Sequence, residues 1–473
     1  MMRHTLLPRN LRARSAMLPG GQALGSRTAL SRRRLVSWFF CAILFTMFLA
    51  MTPTPYFSAI RATRGPTTLQ AAADIDQGRP AHQVLIAVLG LVAVAGILAP
   101  SRRNLAAANP AAWAGLAFVL TAAASPAWSD DPVLTLRRVF VLLTMCTLAV
   151  SIVRVWDARE VLAGIIAATL TASALSWGLE LFSDASGILG PDFRFGGIWH
   201  PNRTAEVCGI LLVSALVGTM VWPVWRRSLR AIAGFALVSL LLTKSRGGIA
   251  AAMFAVALLI TIRLRRAYVI LAALSLATAG LVLALFFFSD QIKDALTQLV
   301  MMGRIDQDAA DMAALTGRVP IWAQLWWFVE RSPVLGYGYN SFWTLRRTLE
   351  IAAVQGWNVG HSHSGYLDLL LSLGVVGLVP WLAALAATPL LLVGRYKSTH
   401  DAAILAGAAI MPLIYVNMII EVVLMQETIP SLIGLTFIAS ALYLRPAVVP
   451  TGYPPAVHGL SPPVPTMVRL NRP

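Results

Sequence analysis

The chain is 473 residues long, 57% hydrophobic and only 12% charged, with a mean hydropathy of +0.70. That composition excludes a soluble globular enzyme and indicates a polytopic membrane protein. The net charge of +17 does not point to nucleic acid, because the cations are scattered through short connections between apolar runs.

The first 34 residues carry eight Arg and no acid, and lack a small-residue cleavage pattern. They read as a basic cytoplasmic tail, 1–34. Runs apolar and long enough to span a bilayer lie at 35–51, 83–99, 110–128, 136–153, 160–182, 204–225, 229–243, 248–262, 267–289, 366–393, 402–420 and 429–444. The expected fold is therefore an all-α polytopic membrane protein of about 12 transmembrane helices, nine in 35–289 and three in 366–445. The run at 229–243 is short for a span and depends on its neighbours. Cys41, Cys146 and Cys208 all fall within apolar runs and read as packing residues without a disulfide. The Pro-rich segment 446–473 reads as a disordered cytoplasmic tail.

Charge orients these spans. With the N-terminus inside, Arg102, Arg103, Arg154, Arg159, Arg226, Arg227, Arg230, Arg263, Arg265, Arg266, Arg395, Lys397 and Arg445 are cytoplasmic, as are both termini. A smaller basic set stands outside, at the very ends of helices. It includes Arg137 and Arg138, Arg194, Arg203, Lys244 and Arg246. Each alone reads as a snorkelling anchor. Together with Arg318, Arg246 and the Arg137–Arg138 pair suit a diphosphate on a lipid carrier, which guanidinium groups grip bidentately.

The segment 290–365 is an outside loop longer than any connector requires. Within it, Trp322, Leu325, Trp326 and Val329 recur at helical spacing over 319–330, predicting an amphipathic helix on the membrane surface. Tyr337, Tyr339, Phe342, Trp343 and Trp357 read as an interfacial belt, or as platforms for sugar rings.

The loop closes on Gly360-His361-Ser362-His363-Ser364-Gly365-Tyr366-Leu367-Asp368, at the mouth of a membrane helix. Ser362 or Ser364 can cap that helix. The positive end of its dipole disfavours imidazolium, which keeps a histidine there neutral and able to take a proton. His-x-His is also half a metal site, but only His82 and His200 could join it from the same side.

These residues resemble the O-antigen ligase and polymerase family, in particular its exopolysaccharide-polymerase branch. The resemblance rests on His363-Ser364-Gly365-Tyr366-Leu367 followed by Gly374-Val375-Val376-Gly377. It extends to Gly317-Arg318-Val319 with Trp322, Ser332-Pro333 with Gly336-Tyr337-Gly338, Trp128-Ser129 with Pro132, Thr135 to Arg138, 197–202 and Ser245-Arg246. Ser364 departs from the family's Asn, and Ser372 stands near a position that is often acidic. The resemblance implies a GT-C-like membrane glycosyltransferase working without metal or other cofactor at the periplasmic face of the bacterial inner membrane. Donor and acceptor would be undecaprenyl-diphosphate-linked oligosaccharides, with membrane lipids, a chain-length regulator and export machinery as further partners. His363 would be the base, with His361 its neighbour or alternative, and Arg246, Arg318, Arg137 and Arg138 would hold the diphosphate. Polymerase and ligase both fit. A flippase fits less well, since no paired halves or midplane acids are visible.

Overall fold

The computed structural model describes residues 80–99, 105, 109–182, 193–264, 318–356 and 359–444. The expected spans at 35–51 and 267–289, both tails, Cys41, Trp357 and most of the long loop before Arg318 lie outside the described residues. Among the described residues twelve α-helices follow in order: α1 (Pro80–Leu98), α2 (Pro110–Ala124), α3 (Pro132–Val155), α4 (Ala158–Phe182), α5 (Pro201–Val221), α6 (Arg226–Leu242), α7 (Arg246–Leu264), α8 (Arg318–Arg331), α9 (Leu345–Gln355), α10 (Gly365–Thr399), α11 (Ile404–Ile420) and α12 (Ile429–Tyr443). Six helices are long and apolar enough to cross a membrane, namely Pro110–Ala127, Pro132–Val155, Ala158–Phe182, Pro201–Val221, Arg246–Arg263 and Gly365–Thr399. Shorter apolar helices, His82–Leu98, Ile404–Ile420 and Ile429–Tyr443, stand among them. This is a multi-pass membrane protein.

The starts follow local chemistry. Asn109, Asp131, Ser364 and Thr428 each accept a backbone N–H of the first turn, and Pro opens α2, α3 and α5 where its missing N–H costs nothing. Successive helices then run back and forth between two ends. At one end Arg159 approaches Asp401 at 3.8 Å, Arg395 donates to Ala441 O at 3.0 Å, and Asn109 donates to Leu442 O at 3.1 Å. At the other end Ser341, in the connection between α8 and α9, meets Ser129 and Thr135 at the start of α3, Asn340 of that connection donates to Met425 O ahead of α12, and Asn202 of α5 joins Ser245 ahead of α7 to Glu421 at the end of α11. Arg154, Arg159, Arg226, Arg227, Arg230, Arg263, Arg395 and Lys397 fall at the first, basic end, and both loop histidines at the second.

The expected loop helix is α8, but its apolar stripe does not simply lie on a surface. Ile321, Leu325 and Val329 are buried with Phe342, Trp343, Ile351 and Leu371 in a small second core. Tyr339, Phe342 and Trp343 are buried too, which corrects their reading as an interfacial belt. Phe342 and Trp343 belong to this second core, whereas Tyr339 packs in the main helix core, its ring 6.3 Å from that of Phe118. Trp326 and Trp327 remain about half exposed. The sequence reading missed α9, which is capped by Thr344 at its start and by Gly356 at φ 76 at its end.

Helix α10 breaks at Gly374, which takes φ 59 and ψ −160. The segment 333–337 docks on the break. Val375 N donates to Pro333 O at 2.9 Å, Val376 N to Val334 O at 3.2 Å, and Tyr337 N to Leu371 O at 2.9 Å. Backbone groups freed by the kink are thus satisfied by another strand of chain, as burial in a membrane requires. A Cβ on Gly374 would stand 2.2 Å from Val334 O. The same segment is pinned to α3, where Ser129 Oγ donates to Tyr337 O at 3.1 Å and Trp128 Nε1 to Leu335 O at 2.9 Å.

Candidate functional site

The start of α10 sets the two histidines. Ser362 Oγ donates to Ser364 O at 2.7 Å and accepts Ser364 N at 3.0 Å. Buried Asp368, in the first helical turn, accepts Ser362 N at 3.1 Å and Trp343 Nε1 at 3.0 Å. Trp322 Nε1 donates to Ser362 O at 2.8 Å. So braced, the chain can hold His363 at φ 55, a left-handed conformation that costs a non-glycine residue about 1–3 kcal/mol.

The two rings lie 4.0 Å apart, centroid to centroid. His363 N donates to His361 Nδ1 at 3.2 Å. That nitrogen therefore keeps its lone pair, and in the neutral ring the proton sits on Nε2. Burial first, then neighbouring His363, pulls the His361 pKa down to about 3. His361 is thus a neutral hydrogen-bond donor, whereas a base must offer a lone pair to its substrate.

Glu421, at the end of α11, is the hub of the site. It accepts Arg318 Nη2 at 3.0 Å and Asn202 Nδ2 at 2.7 Å, and its Oε2 lies 3.9 Å from His363 Nδ1. Gly365 N donates to its backbone oxygen at 3.1 Å, which ties α11 to the start of α10. Burial pushes the Glu421 pKa up, but contact with His363, the neighbouring imidazoles and the Arg318 guanidinium together bring it down to about 2. Asn202 in turn accepts Arg194 Nη2 at 2.8 Å and Ser245 Oγ at 3.1 Å. Arg318 Nε has no protein partner.

On the His361 side opens a polar cavity of about 180 Å³, lined by Arg138, Arg203, Asn340, Trp343, His361 and Asp368 together with 426–428. Arg203 reaches across it to Gln426. His200, which caps α5, is held neutral chiefly by burial and then by Arg194, with its pKa near 4.

Of the expected site residues, His361, His363 and Arg318 come together, and Arg138 faces the adjoining cavity. Arg246 begins α7 beside Ser245, and so stands one residue from the Asn202–Glu421 network. Arg137 lies on α3 next to Arg138. The glycine pair after Arg246 allows close approach to other helices: a Cβ on Gly247 would meet Ile420, and one on Gly248 would meet Ala205 at 2.5 Å. Among the described residues no three His, Cys, Asp or Glu side chains gather as a metal site. Cys146 and Cys208 are free thiols. The sequence reading passed over Glu421, Asn202, Gln426 and Glu427. The available signal was rarity: acids at an outside helix end stand out among only 21 in the chain.

Residues 231–382 match the family model described as O-antigen ligase. This stretch is an O-antigen ligase family domain. It takes in α6 to α9 and the broken part of α10, with Arg246, Arg318, His361 and His363. Members of the family are membrane ligases and polymerases of the glycosyltransferase kind that use lipid-linked glycans. Glu421, Asn202 and Arg203, which join the histidine and arginine cluster and its cavity, lie outside the matched stretch. A search of the curated proteins found no match.

Proposed function

We propose that the protein is a metal-independent glycosyltransferase that polymerises undecaprenyl-diphosphate-linked repeat units at the periplasmic face of the bacterial inner membrane, for an exopolysaccharide or O-antigen-type glycan. The observation that carries this reading is the grouping of His363, Glu421 and Arg318 at the end opposite the basic connections. A hydroxyl of the acceptor sugar attacks the anomeric carbon of the donor. The bond from that carbon to the diphosphate oxygen breaks, and the hydroxyl proton passes to His363. The leaving diphosphate departs as an anion held by Arg318 and Arg246, with the Arg137–Arg138 pair close by on α3. Glu421 keeps Arg318 and His363 in register.

The family description favours a second reading, a ligase that moves finished glycan to another lipid or a protein. A strain lacking the protein decides between them. Single lipid-linked repeat units accumulate if it is a polymerase, and finished lipid-linked polymer accumulates if it is a ligase. If neither accumulates, the glycosyltransferase reading fails. A chain-length regulator and export machinery are the partners this role entails.

A further inference from the structure

The cavity beside His361 has a chemistry that the diphosphate does not explain. Arg138 and Arg203 line it, but so do Asp368 and Glu427, so its formal charges balance. Asp368 is taken up by Ser362 and Trp343, and Gln426 Oε1 by Arg203. What remains is a mixture. Arg138, the Gln426 amide and His361 Nε2–H offer donors, while Glu427 and the Asn340 oxygen offer acceptors. An anion would meet Glu427 as a like charge. A sugar hydroxyl donates and accepts at once, and a ring of them suits such a mixture. The buried edge of Trp343 supplies an apolar wall. The volume of about 180 Å³ leaves room for a sugar ring.

We propose that this cavity binds one neutral pyranose ring, the terminal sugar of the acceptor, and presents its hydroxyl to His363. The inference rests on the glycosyltransferase reading for the word acceptor, and on the cavity alone for the word sugar. His361 then acts through its Nε2–H as a sugar-binding donor, one ring away from the base.

The test uses the full chain in lipid nanodiscs and measures binding of octyl glucoside, octyl galactoside, octyl mannoside, octyl glucuronide and inorganic pyrophosphate by saturation-transfer NMR. At least one neutral glycoside is expected to bind. Glu427→Gln and Arg138→Gln, which each remove a hydrogen bond involving a charged group, should each weaken it by roughly tenfold or more. Pyrophosphate binding should persist in Glu427→Gln. Thermal melting of each variant separates lost binding from lost folding, and His361→Gln, which keeps a donor, should retain more binding than His361→Ala. The proposal is overturned if no neutral glycoside binds the folded wild type, if binding survives both variants, or if Arg138→Gln loses glucuronide while the neutral glycoside stays bound. Transfer from a lipid-linked donor is measured separately, so an inactive protein that still binds the glycoside would sink the enzyme reading and leave the sugar site standing.

Discussion

Arg318 donates to Glu421 at 3.0 Å, so the guanidinium expected to hold a diphosphate already has a carboxylate partner. The pair is partly buried, and the same carboxylate reaches toward His363. Glu421 thus stands against both the Arg318 guanidinium and the His363 ring. Glu421→Gln should keep the protein inserted and folded while lowering transfer on the order of tenfold or more, as expected when a proton acceptor loses its support. Arg318→Lys should recover little activity, because a point charge cannot make the fork of bonds. Wild-type turnover in Glu421→Gln would remove that residue from the site.

His363→Ala should lose about 10²–10⁴-fold in turnover, the usual worth of a positioned base. His361→Ala should lose less, and His361→Gln less again, because His361 serves as a donor. Assays of purified protein on lipid-linked repeat units should be unaffected by EDTA. A dead His361→Gln beside an active His363→Ala would reverse the two roles.

Stability should fall in acid, with His200, which titrates near 4 when folded, adding to the upper part of the curve. His361 titrates near 3 when folded and near 6.5 when unfolded, so its contribution is complete above 6.5 and declines as pH drops toward 3. Glu421 titrates near 2 when folded against an ordinary 4.5, so its contribution is lost below 4.5. Melting temperatures in detergent from pH 7 to 3 test this. His361→Gln should flatten the upper part of the curve and Glu421→Gln the lower part, and unchanged slopes in both variants would contradict the assignment.

Gly374→Ala should destabilise the protein by about 1–3 kcal/mol from its left-handed backbone alone, with a further cost from the clash against Val334 O. The readout is the melting temperature after extraction. Gly394→Ala, on the same helix with open space around its Cβ, is the control and should melt at or slightly above the wild-type temperature, because Ala is the better helix former.

Sidedness is checked by single cysteines at Gln355 and Lys397, at opposite ends of the described fold. In intact cells an impermeant maleimide should label the first and spare the second. Labelling at Lys397 but not at Gln355, with both reactive after lysis, would put the histidine end in the cytoplasm.

Apolar run length and the positive charges made the helices legible, and α1 to α7 with α10 to α12 fall close to the expected positions. The histidines were legible too, because a polar cluster directly before a greasy run is a local signal. Glu421 was not. It lies 58 residues after His363 in the chain, and only the antiparallel course of α10 and α11 brings the two together. Asn202 and Arg203 were seen only as neighbours of a helix start, since periodicity gives the face of a helix but not which helix ends converge. The burial of Phe342 and Trp343 was equally hidden, because their core draws on α9, whose short mixed sequence carries little periodic signal.

The docking of 333–337 onto the break at Gly374 bears on how such proteins could be recombined. Neither piece has a complete set of hydrogen bonds alone, since Val375 and Val376 take their acceptors from Pro333 and Val334. A chimera that exchanges the extramembrane segment but keeps the host's tenth helix would cut through this joint. The smallest transplantable cassette therefore runs from the start of α8 through the kink, so any specificity written in that segment travels with half a membrane helix attached.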